Sequence, residues 1–249
     1  MLKLLSYNIR YGGTGRESQI AEVIRSIDPD IVILQEASDP EAVRRVSAET
    51  GLEFWGSKKD FSVGFLSREA VDHHEWHELP EMRRPYLELR LGELTIFGVH
   101  LSAIHGNWTE RRRARELRAM LRSIEPRKDS FHLLTGDFNT LAPGELLDTR
   151  KLPRRLRILA WTLGGRLRFE TIQLMIDAGY RDGYRSLHTD EGLTFPVWDP
   201  HVRLDFIFLP AEHIKKLTAC KVMTDHPQVR TASDHFPLLC EIDSSKREL

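Results

Sequence analysis

The chain has 249 residues, 41% of them hydrophobic and 29% charged, with a formal net charge of −1. Such a composition excludes a disordered or fibrous protein and leaves room for one large globular domain. Near-neutrality argues against a protein that coats long nucleic acid through many phosphate contacts, though not against a small or terminal phosphate substrate.

The opening stretch MLKLLSYNIRYGG has too short an apolar run, and lacks the small-residue cleavage site, for a secretory signal. No stretch approaches the ~20 apolar residues of a membrane-crossing helix, so a cytoplasmic monomer is the expectation. Residues 2–9 predict a strand, followed by a turn at Gly12, Gly13 and Gly15. Ile20, Val23, Ile24 and Ile27 recur at helical spacing until Asp28-Pro29 stops them. IVILQE at 31–36 predicts a buried strand. Asp39 as N-cap, Pro40 at the first helical position and Gly51 at the end bracket a second helix.

From 53 to 100 the runs FSVGFLS, YLELRL and LTIFGVHL predict successive antiparallel strands. A basic helix is expected at about 108–124, then the strand FHLLTGD, the helix RFETIQLMIDAGY and three strands LDFIFLP, LTACKVM and FPLLCEI. Cys220 and Cys240 fall in the last two and read as buried, reduced thiols. The mixed order does not suit a doubly wound parallel sheet. It predicts an α/β sandwich: two mostly antiparallel sheets face to face with helices outside, one domain over residues 1–249. Residues 142–168 mix many arginines with Leu, Ile and Trp161. They read as a basic helical excursion packed on the domain, or as a lid over an acidic substrate or a peripheral membrane contact through 150–168.

Polar residues recur where these strands end. Asn8 follows LLSY, Glu36 follows IVILQ, His100 follows TIFGV, and Asp137 and Asn139 follow FHLLTG. Asp205 opens FIFL, and Asp234-His235 precede FPLLC. Each alone has a plain structural explanation in a turn or a core hydrogen bond. Glu36 and Asp205 resist it most, because a carboxylate in an apolar run is costly unless paired or bound to a cation. Together, carboxylates with an amide suit a hard divalent cation such as Mg²⁺ or Mn²⁺, and the histidines offer donors to a phosphate. No zinc spacing and no phosphate-binding GxxxxGK[ST] loop is present.

The segments SYNIR, LQE, VHL, GDFN, RLDFIF and SDH, in that order over residues 6–235, resemble the endonuclease/exonuclease/phosphatase superfamily of metal-dependent phosphoesterases. The resemblance implies a four-layered α/β sandwich. It implies metal ligands at Glu36, Asn8 and Asp234, direct or through water, and a water-orienting or water-deprotonating role for Asp137. Asn139 is implied as a donor to that water or to the phosphate, Asp205 and His235 as a carboxylate–imidazole pair, and His100 as a second phosphate-side histidine. An arginine between LQE and HL, Arg84 or Arg83, is implied as a further contact.

The superfamily leaves the substrate open. The run ERRRARELR at 110–118 supports nucleic acid, unless it is a solvated helix face. The basic 142–168 segment supports a phospholipid or small phosphorylated substrate. A non-catalytic binding protein on the same fold would show eroded motifs, and these are intact. Trp198, between Pro196 and Pro200, is a candidate substrate contact, and Phe138 is expected to anchor its turn in the core.

Overall fold

The computed structural model describes residues 1–103, 107–145 and 169–243. In chain order its elements are β1 (Leu2–Asn8), α1 (Glu17–Ile27), β2 (Ile31–Gln35), α2 (Pro40–Thr50), β3 (Phe54–Gly56), β4 (Val63–Ser67) and β5 (His73–His77). There follow β6 (Tyr86–Leu91), β7 (Leu94–His100), α3 (Asn107–Ile124), β8 (His132–Asp137), α4 (Glu170–Asp177) and β9 (Tyr180–Asp182). The chain continues through α5 (Gly183–Leu187), β10 (Asp205–Pro210), β11 (Leu217–Val222), α6 (Val229–Ala232) and β12 (Leu238–Ile242). The helix boundaries have local causes. The Asp39 carboxylate caps α2 by accepting the Glu41 and Ala42 N–H groups, and Asp28 closes α1 in the left-handed conformation.

Several strands have no exposed residue because both of their faces are covered. Alternate residues of each enter different cores. Val32 and Leu34 of β2 pack with Ile20, Val23 and Val43 from α1 and α2, while Ile31 and Ile33 meet Leu87, Leu89 and Ile96 of the other sheet. Likewise Ile207 and Leu209 of β10 face the inter-sheet core, and Phe206 and Phe208 face Leu117, Met120 and Met175 from α3 and α4. Three apolar interfaces therefore separate four layers: helices, sheet, sheet, helices. Burying each such Leu, Ile or Phe contributes about 1.5–3 kcal/mol. Phe138 lies in the outer core against Phe206 and Phe208.

The first sheet runs β11-β12-β1-β2-β4-β3 and the second β5-β6-β7-β8-β10-β9. Each is antiparallel except for one central parallel pair, β1/β2 and β7/β8. The expected strand run from 53 to 100 is split: β3 and β4 finish the first sheet, and the chain then crosses to begin the second at β5. β5, with the polar sequence HHEWH, and β9 were not legible because an edge strand needs only one neighbour and little apolar alternation. Cys220 and Cys240 face each other across β11/β12 as free thiols, and burial pushes both upward. Among the described residues no helix is long and apolar enough to cross a membrane. From residue 146 onward, the basic 142–168 stretch lies outside the described residues, and with it the expected lid or membrane contact.

The parallel pairs are what position the site. Because β1 and β2 run together, Asn8 and Gln35 finish side by side, and β7 and β8 place His100 beside Asp137 in the same way. β10 runs the other way, so its first residue, Asp205, pairs with the last of β8, Asp137. β1 and β2 pack over β8, which brings these ends to one edge.

One glycine makes that edge possible. Gly136 has φ +142°, and a Cβ there would lie 2.0 Å from the Val99 carbonyl oxygen of β7. Gly51 has φ +73° with nothing near its missing side chain. Gly136→Ala should therefore cost at least about 3 kcal/mol or prevent folding, while Gly51→Ala should cost only about 1 kcal/mol. Urea midpoints of the two variants check this; equal losses would show that the approach of β7 to β8 is not tight.

Candidate active site

The carboxylate of Asp137, 1% exposed at the end of β8, is the hub. Its Oδ1 accepts the Asn139 backbone N–H at 2.8 Å. Its Oδ2 accepts the Asn8 amide at 3.0 Å and lies 3.7 Å from His100 Nε2 and 3.9 Å from His235 Nε2. Asn139 sits at φ +53°, which turns its backbone N–H toward Asp137 and lets its amide donate to the Leu101 carbonyl at 3.2 Å. Burial pushes the Asp137 carboxyl up to about 7, with the neighbouring Asp205 adding to the rise and His235, the Asn139 N–H and Asn8 opposing it.

The two histidines differ in charge. For His235, burial opposes protonation, but the Asp205 charge and its 2.9 Å hydrogen bond to Nδ1 outweigh burial and, with Asp137, raise the ring to about 9. His100 is buried without such a partner. Burial, then Arg84 and His235, hold it well below its ordinary value, so it is neutral at pH 7. Its Nδ1 shares a 2.5 Å hydrogen bond with the Ser62 hydroxyl. The tautomer that accepts there carries its proton on Nε2, toward Asp137. The two rings thus differ in protonation: His235 is held as a cation and His100 neutral at pH 7.

On the other side stands Glu36, at φ +56° just past β2. Its Oε2 accepts the Tyr11 N–H at 2.6 Å, and Asn8 Nδ2 is 3.4 Å from Oε1. Asn8 Oδ1 is taken by the Arg10 N–H at 3.0 Å, so the amide hydrogens of Asn8 face the two carboxylates. In this arrangement the Asn8 amide nitrogen spans Glu36 and Asp137, and its oxygen accepts the Arg10 N–H with a second lone pair left over. Asp234 is paired with Arg10 Nε at 3.3 Å, and Ser233 beside it donates to the Asn8 carbonyl.

The donor chemistry of the metal-free site bears on where a cation fits. Asp137, Asp205 and His235 present ligand atoms within 4.8 Å of one another. That group is a poor site, because a protonated His235 with Nδ1 engaged has no lone pair to give. Glu36 is half-exposed, accepts the Tyr11 N–H as its one close hydrogen bond and feels the Arg84 charge, and its donor atoms, like those of Asp234, are all oxygen. This suits a hard divalent ion.

Arg84 is half-buried and Arg83 exposed. Arg84 donates to the Leu101 carbonyl at 3.1 Å, the same oxygen that accepts from Asn139. Its charge is faced by Asp137, Glu36 and Glu116. Trp198 is 63% exposed and meets Phe195 edge-on at 6.3 Å, and Phe195 lies 4.7 Å from the His235 ring. The run 110–118 is not one solvated face. Arg113 is buried on Glu110, while Arg112, Arg118 and Arg122 pair with Glu116, Glu170 and Glu81. Ser62, Arg10 and Ser233 join the site without a sequence signal of their own, though Arg10 lies inside SYNIR and Ser233 inside SDH; Phe195 stands out in sequence only as an aromatic close to Trp198, equally suited to the core.

The sequence pattern of the Endonuclease/Exonuclease/phosphatase family matches residues 5–235. YbhP of Escherichia coli K12, described as uncharacterized, is 24% identical over 96% of this chain and 95% of its own length. The 3' phosphatase NExo from Neisseria, solved with a product DNA hairpin, superposes with a TM-score of 0.73 at 18% identity over 98% of this chain and 100% of that one. An AP endonuclease from Archaeoglobus fulgidus gives 0.70 at 17% identity, over 98% and 100%. At such identities the structural likeness speaks for the fold.

The split between the histidines can be read by ¹⁵N NMR of the metal-free protein. His235 should stay protonated through pH 8 and titrate near 9, and His100 should titrate well below its ordinary value of 6.5. Two rings titrating together near their ordinary value of 6.5 would contradict the assignment.

Proposed function

The chain belongs to the endonuclease/exonuclease/phosphatase family, whose members hydrolyse phosphoester bonds, and on that premise we propose that it is a divalent-metal-dependent phosphodiesterase or nuclease acting on nucleic acid. The observation that carries the reading is the Asp137 carboxylate, buried between the Asn8 amide, a neutral His100 and a cationic His235. Glu36 and Asp234 would hold Mg²⁺ or Mn²⁺, which supplies neutralisation of phosphate charge and a more acidic water.

The remaining chemistry belongs to side chains. A base acts best when its pKa is near the working pH, and burial brings Asp137 there, so Asp137 takes the proton of the attacking water. The Asn139 N–H and the Asn8 amide keep its two oxygens from rotating away. His235, held cationic by Asp205, donates to phosphate oxygens as their charge grows, and His100 and Arg84 add donors from the β7 side. These groups are aimed before the reaction begins, so little reorganisation accompanies the transition state.

For the substrate, two features support nucleic acid. Phe195 and exposed Trp198 extend from His235 as flat apolar surfaces on which a base can stack. Structural neighbours include a 3' phosphatase solved with a DNA hairpin and an AP endonuclease. The arginines of α3 lend less support than their sequence promised, since most are engaged in ion pairs.

A panel of plasmid, abasic duplex, single-stranded DNA, RNA, phosphoinositide, sphingomyelin and bis(4-nitrophenyl) phosphate, each with Mg²⁺, Mn²⁺ or EDTA, tests this. Nucleic acid should be cleaved only with metal, and Asp137→Ala should lower kcat by about 10²–10⁴-fold. Lipid cleavage without nucleic-acid cleavage would transfer the protein to the phospholipid class. Asp205→Asn and His235→Gln should each lower kcat by about 10²–10³-fold. Because the two act as a unit, the double variant should be no worse than the poorer single; fully additive losses would separate their roles.

A further inference from the structure

Helix α3 carries a row of buried charged residues that the chemistry above does not use. Glu110, Arg113 and Glu116, spaced three apart, are 2%, 3% and 1% exposed and so lie on one inward face. Their partners are not scattered. The Glu116 carboxylate accepts the Ser102 N–H at 3.0 Å, the Ser102 hydroxyl at 2.6 Å and the Arg83 N–H at 3.2 Å, with Arg112 Nε at 3.5 Å. Arg113 donates to the Ser102 carbonyl at 3.0 Å and to Glu110 at 2.9 and 3.1 Å. Glu110 in turn accepts the Thr140 hydroxyl at 2.7 Å and the Thr171 N–H at 2.8 Å.

Three of the anchored residues, Arg83, Ser102 and Thr140, are sequence neighbours of site elements. Arg83 precedes Arg84, Ser102 follows the Leu101 carbonyl, and Thr140 follows Asn139. Arg84 and Asn139 meet on that one carbonyl at 3.1 and 3.2 Å. A buried carboxylate with several donors is rigid, because losing any donor strands charge in a low-dielectric interior. Glu116 holds both neighbours of the Arg84–Leu101 contact at once.

We propose that Glu116 is a positioning residue: by binding the Arg83 N–H and both donors of Ser102, it fixes the Leu101 carbonyl and aims the Arg84 guanidinium at the substrate phosphate. This rests on the phosphoesterase reading for what Arg84 contacts. Glu116 never touches the phosphate. Its influence passes through Arg84 and the carbonyl shelf, and misplacing such groups by about an ångström costs on the order of 10²-fold in rate.

The test is a double-mutant cycle with bis(4-nitrophenyl) phosphate and Mg²⁺ or Mn²⁺, using full-length protein and with folded fractions measured by circular dichroism. Glu116→Ala should lower kcat per folded molecule by about 10–100-fold, with KM changed by less than about threefold. In an Arg84→Ala background the same substitution should lower it by less than about threefold more, because the group it positions is gone. A purely structural Glu116 would give equal losses in both backgrounds, which overturns the proposal, as does no loss in either. If Glu116→Ala fails to fold, Glu116→Gln and Ser102→Ala weaken the same anchor with less damage and should show the same dependence on Arg84.

A second readout needs no turnover. The Arg84 Nε–H resonance should shift on titration with inorganic phosphate in the wild type and shift much less in Glu116→Gln. That result in a protein that hydrolyses none of the diesters would sink the proposed function and leave the positioning role standing. A resonance indifferent to residue 116 would sink the positioning role alone.

Discussion

Burying a carboxylate is expensive, and the structure is organised around one that is buried. Asp137 lies at the end of a strand with no exposed residue, between two sheets whose shared core is apolar. An isolated charge there would cost several kcal/mol. It is offset by groups that no local sequence could supply: an amide from β1, imidazoles from the end of β7 and from beside β12, and the N–H of Asn139 two residues on. Only the convergence of the two parallel pairs brings them within reach. Fold and site are in this sense one problem, and Gly136, which lets β8 approach β7, belongs to both.

The same constraint divides the site electrically. Asp205 spends its charge on His235, which keeps a cation on the far side of Asp137. Glu36, half-exposed on the near side, accepts the Tyr11 N–H and has no imidazole bonded to it among the described residues. Backbone strain marks the boundary. Arg10, Tyr11, Glu36 and Asn139 all adopt positive φ, between 48° and 56°, although none is glycine. A conformation costing of the order of 1–3 kcal/mol persists only where the surroundings hold it. Here it turns the Tyr11 N–H to Glu36 and the Asn139 N–H to Asp137.

Much of this was legible before any coordinates. Strands such as IVILQ and DFIFLP announced themselves because residues covered on both faces must be apolar, and the polar residue ending each run stood out against that background. Asp39, Pro40 and Gly51 marked α2 through chemistry confined to a few neighbouring residues. What escaped depends on partners far along the chain. Ser62 has no pattern of its own and matters only because His100 comes to it across 38 positions. Arg113 reads as one more arginine in ERRRARELR, and only packing reveals that it is buried on Glu110 while its neighbours reach outward. The unequal protonation of His100 and His235 is likewise invisible in sequence, since it follows from which ring has Asp205 against it. That Arg84 rather than Arg83 turns inward to the Leu101 carbonyl is also invisible in sequence.

The most direct measurement of this division is the anomalous scattering of crystals soaked in Mn²⁺. The account predicts a peak within coordination distance of the Glu36 carboxylate, with His235 still hydrogen-bonded to Asp205 and absent from the ion's ligands. A sole peak ligated by His235 together with Asp137 or Asp205 would contradict it, because the imidazole would then have to be neutral and the charge separation on which the site depends would not exist.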